Sequence, residues 1–327
     1  MGEVLETRRS KTNARFEELQ IELNNAAKIT AKKACVYATG SFGRGEASGH
    51  SDLDLFIVGL GKTKRKLSRL QEICLEAELI SATRRLKIRK FSGDGEYLVH
   101  YTQKELVEAL GKRHDDAKNT FTARLLLLLE SRPVLGSEVY NKTIDNVVDA
   151  YWRDYKDHRN NFTPTFLAND ILRLWRTFCV NYEASTSSEP AEKKAKRKLK
   201  NYKLRHSRLL TCYSALLYLL TIFVTQHTVH PRDAVSMAKI SPTQRLDWLI
   251  SQETLSNKAR KTVRDLLEHY EKFLEATDRP ESELMEIFLD SRKSKEYSLA
   301  ASKLGDLTFE AFERIGKKSA FYRVLVV

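Results

Sequence analysis

A chain of 327 residues with 42% apolar and 30% charged side chains is long enough for two domains with ordinary cores and too apolar to stay unfolded. The 56 Lys and Arg against 43 Asp and Glu give a formal net charge of +13, which points to an anionic partner such as nucleic acid, nucleotide or an acidic protein surface. Its four cysteines, Cys35, Cys74, Cys179 and Cys212, are far apart in apolar contexts, so neither a disulfide framework nor a zinc site is expected.

Residues 1–13 are charged and lack the apolar core of a signal peptide, so a cytoplasmic protein is expected. Across residues 12–30, Phe16, Leu19, Ile21, Leu23, Ala26 and Ala27 recur with charges between them and predict one amphipathic helix. Residues 35–38 predict a short strand. Gly40-Ser41 then begins a turn, and residues 42–46 start a helix whose first backbone N–H groups face whatever binds there. Residues 53–58 predict a second strand. Asp52 and Asp54, two positions apart, point to the same face of it. Two like charges held that close are costly unless a cation lies between them, and a divalent metal is the natural occupant.

Residues 62–85 carry Leu67, Leu70, Ile73, Cys74, Ala77 and Ile80 at helical spacing, and predict a helix crossing back over the sheet. Gly93-Asp94-Gly95 is a turn signal, and residues 97–101 have the aromatic and β-branched bias of a third strand. Beyond Thr102 the pattern is helical, over residues 104–110, 114–131, 137–155, 165–183, 202–226, 242–251, 255–275 and 281–292. The run 125–129 is apolar on every face and belongs in a core. Residues 209–224 span only about 24 Å as a helix and are interrupted by Thr211, Ser214 and Thr221, so they read as a core helix and no membrane partner is expected.

The implied architecture is α+β, a small mixed-sheet domain over residues 1–112 followed by a mostly helical domain over 113–327. Residues 184–200 read as a basic linker. Ser, Thr and Pro come first, then Lys193, Lys194, Lys196, Arg197, Lys198 and Lys200, which could also form a phosphate-binding stripe. The apolar tail, residues 320–327, predicts a closing strand or helical turn. His114-Asp115 reads as a helix N-terminus, where acids are favourable.

Gly40-Ser41 followed by Asp52-Leu53-Asp54 between apolar runs resembles the signature of the DNA polymerase β superfamily of nucleotidyltransferases. The fuller form, Gly40-Ser41-Phe42-Gly43-Arg44-Gly45-Glu46 with Ser51-Asp52-Leu53-Asp54, looks most like the nucleotidyltransferase domain of bacterial PII uridylyltransferases and their relatives. A looser likeness continues through Asp115-Asp116, residues 119–124 and Glu130-Ser131-Arg132. The resemblance implies a mixed-sheet nucleotidyltransferase domain in which Gly40 and Ser41 hold the terminal phosphates of a nucleoside triphosphate such as ATP. It also implies that Asp52 and Asp54 bind Mg²⁺, or Mn²⁺ in its place. A third carboxylate on a later strand completes such a site, and Glu96, with Asp94 as the alternative, is the candidate here. His114-Asp115 also resembles the metal pair of phosphohydrolases.

The chemistry suits these residue types. Mg²⁺ takes a few carboxylates together with phosphate oxygens and water, and glycines let backbone approach an anion closely. Arg44 is either a phosphate contact or the ion-pair partner of Glu46. In this superfamily the helical domain supplies cations to the triphosphate, and Lys203 and Arg208 are the candidates, ahead of Arg173, Arg176 and Arg205. The expected reaction moves NMP from an NTP to a hydroxyl of a protein side chain or RNA end, with release of pyrophosphate. The rival expectation is a catalytically silent nucleotide- or nucleic-acid-binding regulatory protein of the same fold.

Overall fold

All six residues of β1 (Ala34–Thr39) are buried, and such a run finds its place at the centre of a sheet rather than its edge. The computed structural model describes residues 2–61, 67–88, 98–183 and 190–326 and sets β1 inside a four-stranded sheet of order β3-β2-β1-β4. β2 (Asp54–Gly59) runs antiparallel to β1, in register from Ala34 opposite Gly59 to Thr39 opposite Asp54. β3 (His100–Thr102) adds parallel to β2, and β4 (Arg132–Leu135) adds antiparallel to β1 with a shift of register between Val36 and Tyr37.

Side chains alternate across this sheet as the period of two requires. On one face Val36, Ala38, Leu55 and Ile57 pack with Phe16, Leu19 and Leu23 and with Leu75 and Leu79. These come from α1 (Glu3–Glu22) and the Leu23 that follows it, and from α4 (Arg69–Arg85), the fourth helix after α2 (Asn24–Thr30) and α3 (Gly40–Arg44). On the other face Tyr37 stacks on Phe56 with ring centroids 5.5 Å apart, and its hydroxyl donates to the Ala123 carbonyl at 3.2 Å. That face is covered by α7 (Thr120–Glu130) and α8 (Ser137–Tyr151), which follow α5 (Gln103–Glu108) and α6 (His114–Ala117). Ser68 with Gln71 and Thr102 with Glu105 form reciprocal capping boxes that fix where α4 and α5 begin.

The helical unit contains α9 (Thr165–Glu183), α10 (Ala191–Lys203), a π-helical turn (Leu204–Arg208) and α11 (Leu209–Gln226). After α12 (Pro231–Ala238) come α13 (Pro242–Ser251), α14 (Asn257–Ala276), α15 (Glu281–Leu289), α16 (Ser291–Gly316) and α17 (Ala320–Val326). The continuous helix from Ala191 to Gln226 is long and apolar enough to cross a membrane, yet 78% of its most apolar window is buried in protein. It is a core helix, as the interrupting hydroxyls suggested.

The fold is therefore α+β, a small mixed sheet with its helices followed by a mostly helical region, but several expected details differ. Compact packing parts at Asp154/Tyr155 rather than at 112/113. One unit is Leu5–Asp154 with Ala234–Ser241, the other Met1–Val4 with Tyr155–Asp233 and Pro242–Val327. The reason is that α7 and α8 cover the sheet and belong with it. Residues 190–200 are not a linker. Ala195, Leu199 and Tyr202, at i, i+4 and i+7, are buried on one side of α10, which packs on α15. The helix expected over 114–131 breaks where Asn119 takes a left-handed φ of 55°, a conformation Asn tolerates better than most residues. The helix expected over 12–30 divides at Leu23, and the tail closes as a helix.

Candidate active site

The opposition of Thr39 and Asp54 sets the geometry of the site, because the next residue, Gly40, turns out of β1 directly beside the first residue of β2. Gly40 has φ +64°, and a β-carbon on it would stand 3.0 Å from Asp54 Oδ2. The turn is thus open where it faces the carboxylate. Where the chain enters β2 the exposure alternates, with Asp52 exposed, Leu53 buried and Asp54 half-buried, as expected for two acids that share one face. Ser41 is half-buried in the first turn of α3, next to Gly40.

A buried charge network holds this turn from below. Glu130, the last residue of α7, is 2% exposed. Its Oε1 accepts from the Gly40 backbone N–H at 3.1 Å, and its Oε2 accepts from Arg44 Nη1 at 2.8 Å. Arg44 Nε donates to Glu46 Oε2, also at 2.8 Å. Arg8 of α1, buried as well, donates from Nη1 to the Glu46 carbonyl at 3.1 Å. Two guanidinium groups and two carboxylates thus balance in the interior, the condition under which buried charge is tolerated. Close backbone packing accompanies the network. A β-carbon on Gly43 would lie 2.0 Å from the Glu130 carbonyl oxygen and 2.7 Å from that of Ala38.

The loop leading to the aspartates is tied to α1. The Ala47 N–H donates to Thr12 Oγ1 at 3.0 Å, Arg15 Nη1 donates to the Ser48 carbonyl at 3.2 Å, and the Ser48 N–H donates to Ser51 Oγ at 2.9 Å. Asp52 follows at once, so α1 acts as a brace for the position of the first aspartate.

Of the residues singled out from the sequence, Gly40, Ser41, Arg44, Asp52 and Asp54 share the sheet-bearing unit and lie on the β1–α3 turn and the start of β2. Of the two readings of Arg44, the ion pair with Glu46 is formed, with Glu130 as a second partner and the residue 7% exposed between the two carboxylates. Gly40 is refined, since its N–H is already given to Glu130. Glu96 and Asp94 lie outside the described residues. Lys203 and Arg208 lie in the helical unit, Lys203 exposed at the end of α10 and Arg208 with its guanidinium 5.3 Å from the centroid of the Phe178 ring. Asp115 is 1% exposed and pairs with fully buried Arg124, Oδ2 to Nη2 at 2.5 Å and Oδ1 to Nη1 at 3.0 Å. That ion pair accounts for Asp115 without a metal. Glu130 went unnoticed as a site residue. An acid that ends the wholly apolar run 125–129 needs a buried partner, and that was its signal.

Among the described residues no group of three or more His, Cys, Asp or Glu side chains converges as a metal cage. A divalent ion nevertheless fits the donor set. Two carboxylates two positions apart, beside a glycine without a β-carbon to crowd Asp54, match the few-carboxylate habit of Mg²⁺, whose other ligands are phosphate oxygens and water. A strand, a Gly-Ser turn and a second strand led in by two aspartates make up the candidate site.

Residues 22–116 match the family model of a nucleotidyltransferase domain, which supports a place in the polymerase β-type superfamily and a transferase that takes a nucleotide substrate. The match spans the three strands β1 to β3 but reaches neither Arg8, Thr12 and Arg15 nor Glu130, the residues that brace the turn. No curated protein and no solved structure matches the chain.

Proposed function

We propose that the protein is a Mg²⁺-dependent nucleotidyltransferase that moves NMP from an NTP to a hydroxyl of a macromolecular acceptor. The observation that supports this reading most is that the pairing of Thr39 with Asp54 sets Gly40 of the Gly-Ser turn beside the Asp54 carboxylate. Asp52 and Asp54 hold the ion, and Ser41 with the first-turn amides that follow Gly40 receives phosphate oxygens. When bound, Mg²⁺ offsets charge on the attacking and leaving oxygens. The acceptor oxygen forms a bond to the α-phosphorus while the bond to the bridging oxygen of pyrophosphate breaks, and the acceptor proton passes to a carboxylate, for which Glu96 and then Asp94 are the residues to test. Arg44, Glu46 and Glu130 position the turn and touch no substrate.

The acceptor is a protein side chain or an RNA end, the first by likeness of the Gly40–Glu46 and Ser51–Asp54 residues to the PII uridylyltransferases. Lys203 is the helical-unit cation to test against the triphosphate, ahead of Arg208, whose charge already lies over Phe178. We place the protein in the cytoplasm. Incubation with α-phosphate-labelled NTPs, Mg²⁺ and cell extract should label an acceptor, and Asp52→Asn with Asp54→Asn should abolish the label. No transfer with any NTP would favour the silent regulatory reading instead.

A further inference from the structure

Within the helical unit, α10 and α16 border a groove of about 320 Å³. One wall is formed by Lys198, Asn201 and Arg205, at i, i+3 and i+7 along α10 and its π turn, with Tyr202 beneath them. The other is formed by Ser291, Ser294, Lys295 and Ser298, at i, i+3, i+4 and i+7 on the first turns of α16. Each helix thus turns one whole face into the groove. The residues lining it include three cations and no carboxylate. Among the described residues neither Lys198 nor Lys295 forms an ion pair, whereas Lys196, outside the groove, lies 3.6 Å from Glu281. Arg205 holds its place by donating from Nη2 to Ser302 Oγ at 3.2 Å.

We propose that this groove binds the sugar-phosphate backbone of a nucleic acid strand. Three cations interleaved with hydroxyl and amide groups suit phosphate oxygens. Lys194, exposed four residues before Lys198, carries the row of charge beyond the groove, so that from Lys194 to Arg205 it extends about 16 Å, which fits a polyanion better than a single phosphate. The apolar face of α10 is covered by protein through Ala195, Leu199 and Tyr202, leaving charge alone for a partner and nothing to insert into a bilayer. Tyr202 and Phe288 in the floor are 6% and 3% exposed with ring centroids 5.7 Å apart, so they pack on each other and recognition is blind to base. Asp290 caps α16 by accepting from the Arg292 and Lys293 amides, which leaves recognition to the side chains of the groove. The proposal concerns binding and does not rest on the catalytic reading.

The test is fluorescence anisotropy of the full chain with labelled 20-residue oligo-U and oligo-dT across a salt series, without nucleotide. Both strands should bind, and Lys198→Ala with Arg205→Ala and Lys295→Ala should lower the slope of log K against log salt by about 2, with about a hundredfold loss at 0.1 M salt. The double variant Lys198→Ala with Lys295→Ala keeps the Arg205–Ser302 bond and should lower the slope by about 1.4. Replacing Lys258, Lys261 and Arg264 of α14 by Ala changes the charge equally, and should leave the slope near that of the wild type. Equal losses in the groove and control variants, no binding at 50 mM salt, or binding to phosphatidylserine vesicles with none to either strand would each overturn the proposal.

Discussion

The carboxylate of Glu130 joins the Gly40 backbone to the Arg44 guanidinium, with one oxygen 3.1 Å from the Gly40 nitrogen and the other 2.8 Å from Arg44 Nη1. A residue 90 positions downstream thereby fixes the turn that faces Asp54. Glu130→Ala leaves a buried amide without an acceptor and Arg44 with one counter-charge fewer. Urea unfolding should show a loss of about 3–5 kcal/mol. Glu130→Gln can satisfy the amide or the guanidinium but not both, and should also lose stability. A change below about 1 kcal/mol in the alanine variant would mean that the network is not what holds the turn.

The glycines of the turn should separate by role. Gly43→Ala drives a methyl into two backbone carbonyls that cannot yield, and should cost about 3 kcal/mol or prevent folding. Gly40→Ala meets only the Asp54 side chain and a left-handed φ, a strain of about 1–2 kcal/mol. That variant should stay folded while binding Mn²⁺ with NTP more weakly, as followed by electron paramagnetic resonance. Gly49→Ala has open space and should change neither property.

Asp115 and Arg124 form a buried ion pair that also accepts the Thr120 hydroxyl at 2.6 Å. Asp115→Asn should cost about 3–5 kcal/mol in denaturant unfolding without altering metal affinity of the folded fraction. Lost metal binding with unchanged stability would restore the phosphohydrolase-like reading of His114-Asp115.

Acid stability should carry the mark of His206, in the π turn that links α10 to α11. Burial pushes its pKa down from 6.5 to about 4, against the hydrogen bond its Nδ1–H donates to the Tyr202 carbonyl at 2.8 Å. Its Nε2 is buried without a partner, so a protonated ring has nowhere to place its second N–H. The folded pKa lies below the unfolded one, hence the unfolded chain takes up the proton first. Stability is intact above pH 6.5 and falls as pH drops towards 4, by up to about 3 kcal/mol. Melting temperature against pH should flatten across that window in His206→Phe relative to wild type. Identical profiles would show that His206 does not titrate in this way.

Much of the site was legible because strand alternation is strict. Asp52, Leu53 and Asp54 could face only exposed, buried and half-buried in turn, and the Gly-Ser turn could lie only at the end of the preceding strand. Glu130 left a single signal, an acid closing an apolar run, because its long-range contacts to Gly40 and Arg44 leave no periodic trace. β4 was missed because Arg132-Pro133 lacks strand bias, and an edge strand tolerates a proline that a central one does not. The lysines of α10 hid Ala195, Leu199 and Tyr202, for composition outweighs three apolar residues unless their spacing is read. The helix expected over 281–292 matches α15, and α16 has no counterpart among the expected helices although its buried Ala301, Leu304, Thr308, Ala311 and Ile315 keep steps of three and four.

The central claim is tested most directly by transfer from NTP labelled in turn at the α and the γ phosphate, with Mg²⁺ and extract, in wild type and in Asp52→Asn with Asp54→Asn. The α label should pass to an acceptor, the γ label should appear only in pyrophosphate, and chelation by EDTA or the double substitution should stop both. Transfer of the γ label to the acceptor, or α-label transfer unchanged in the double variant, would contradict the account.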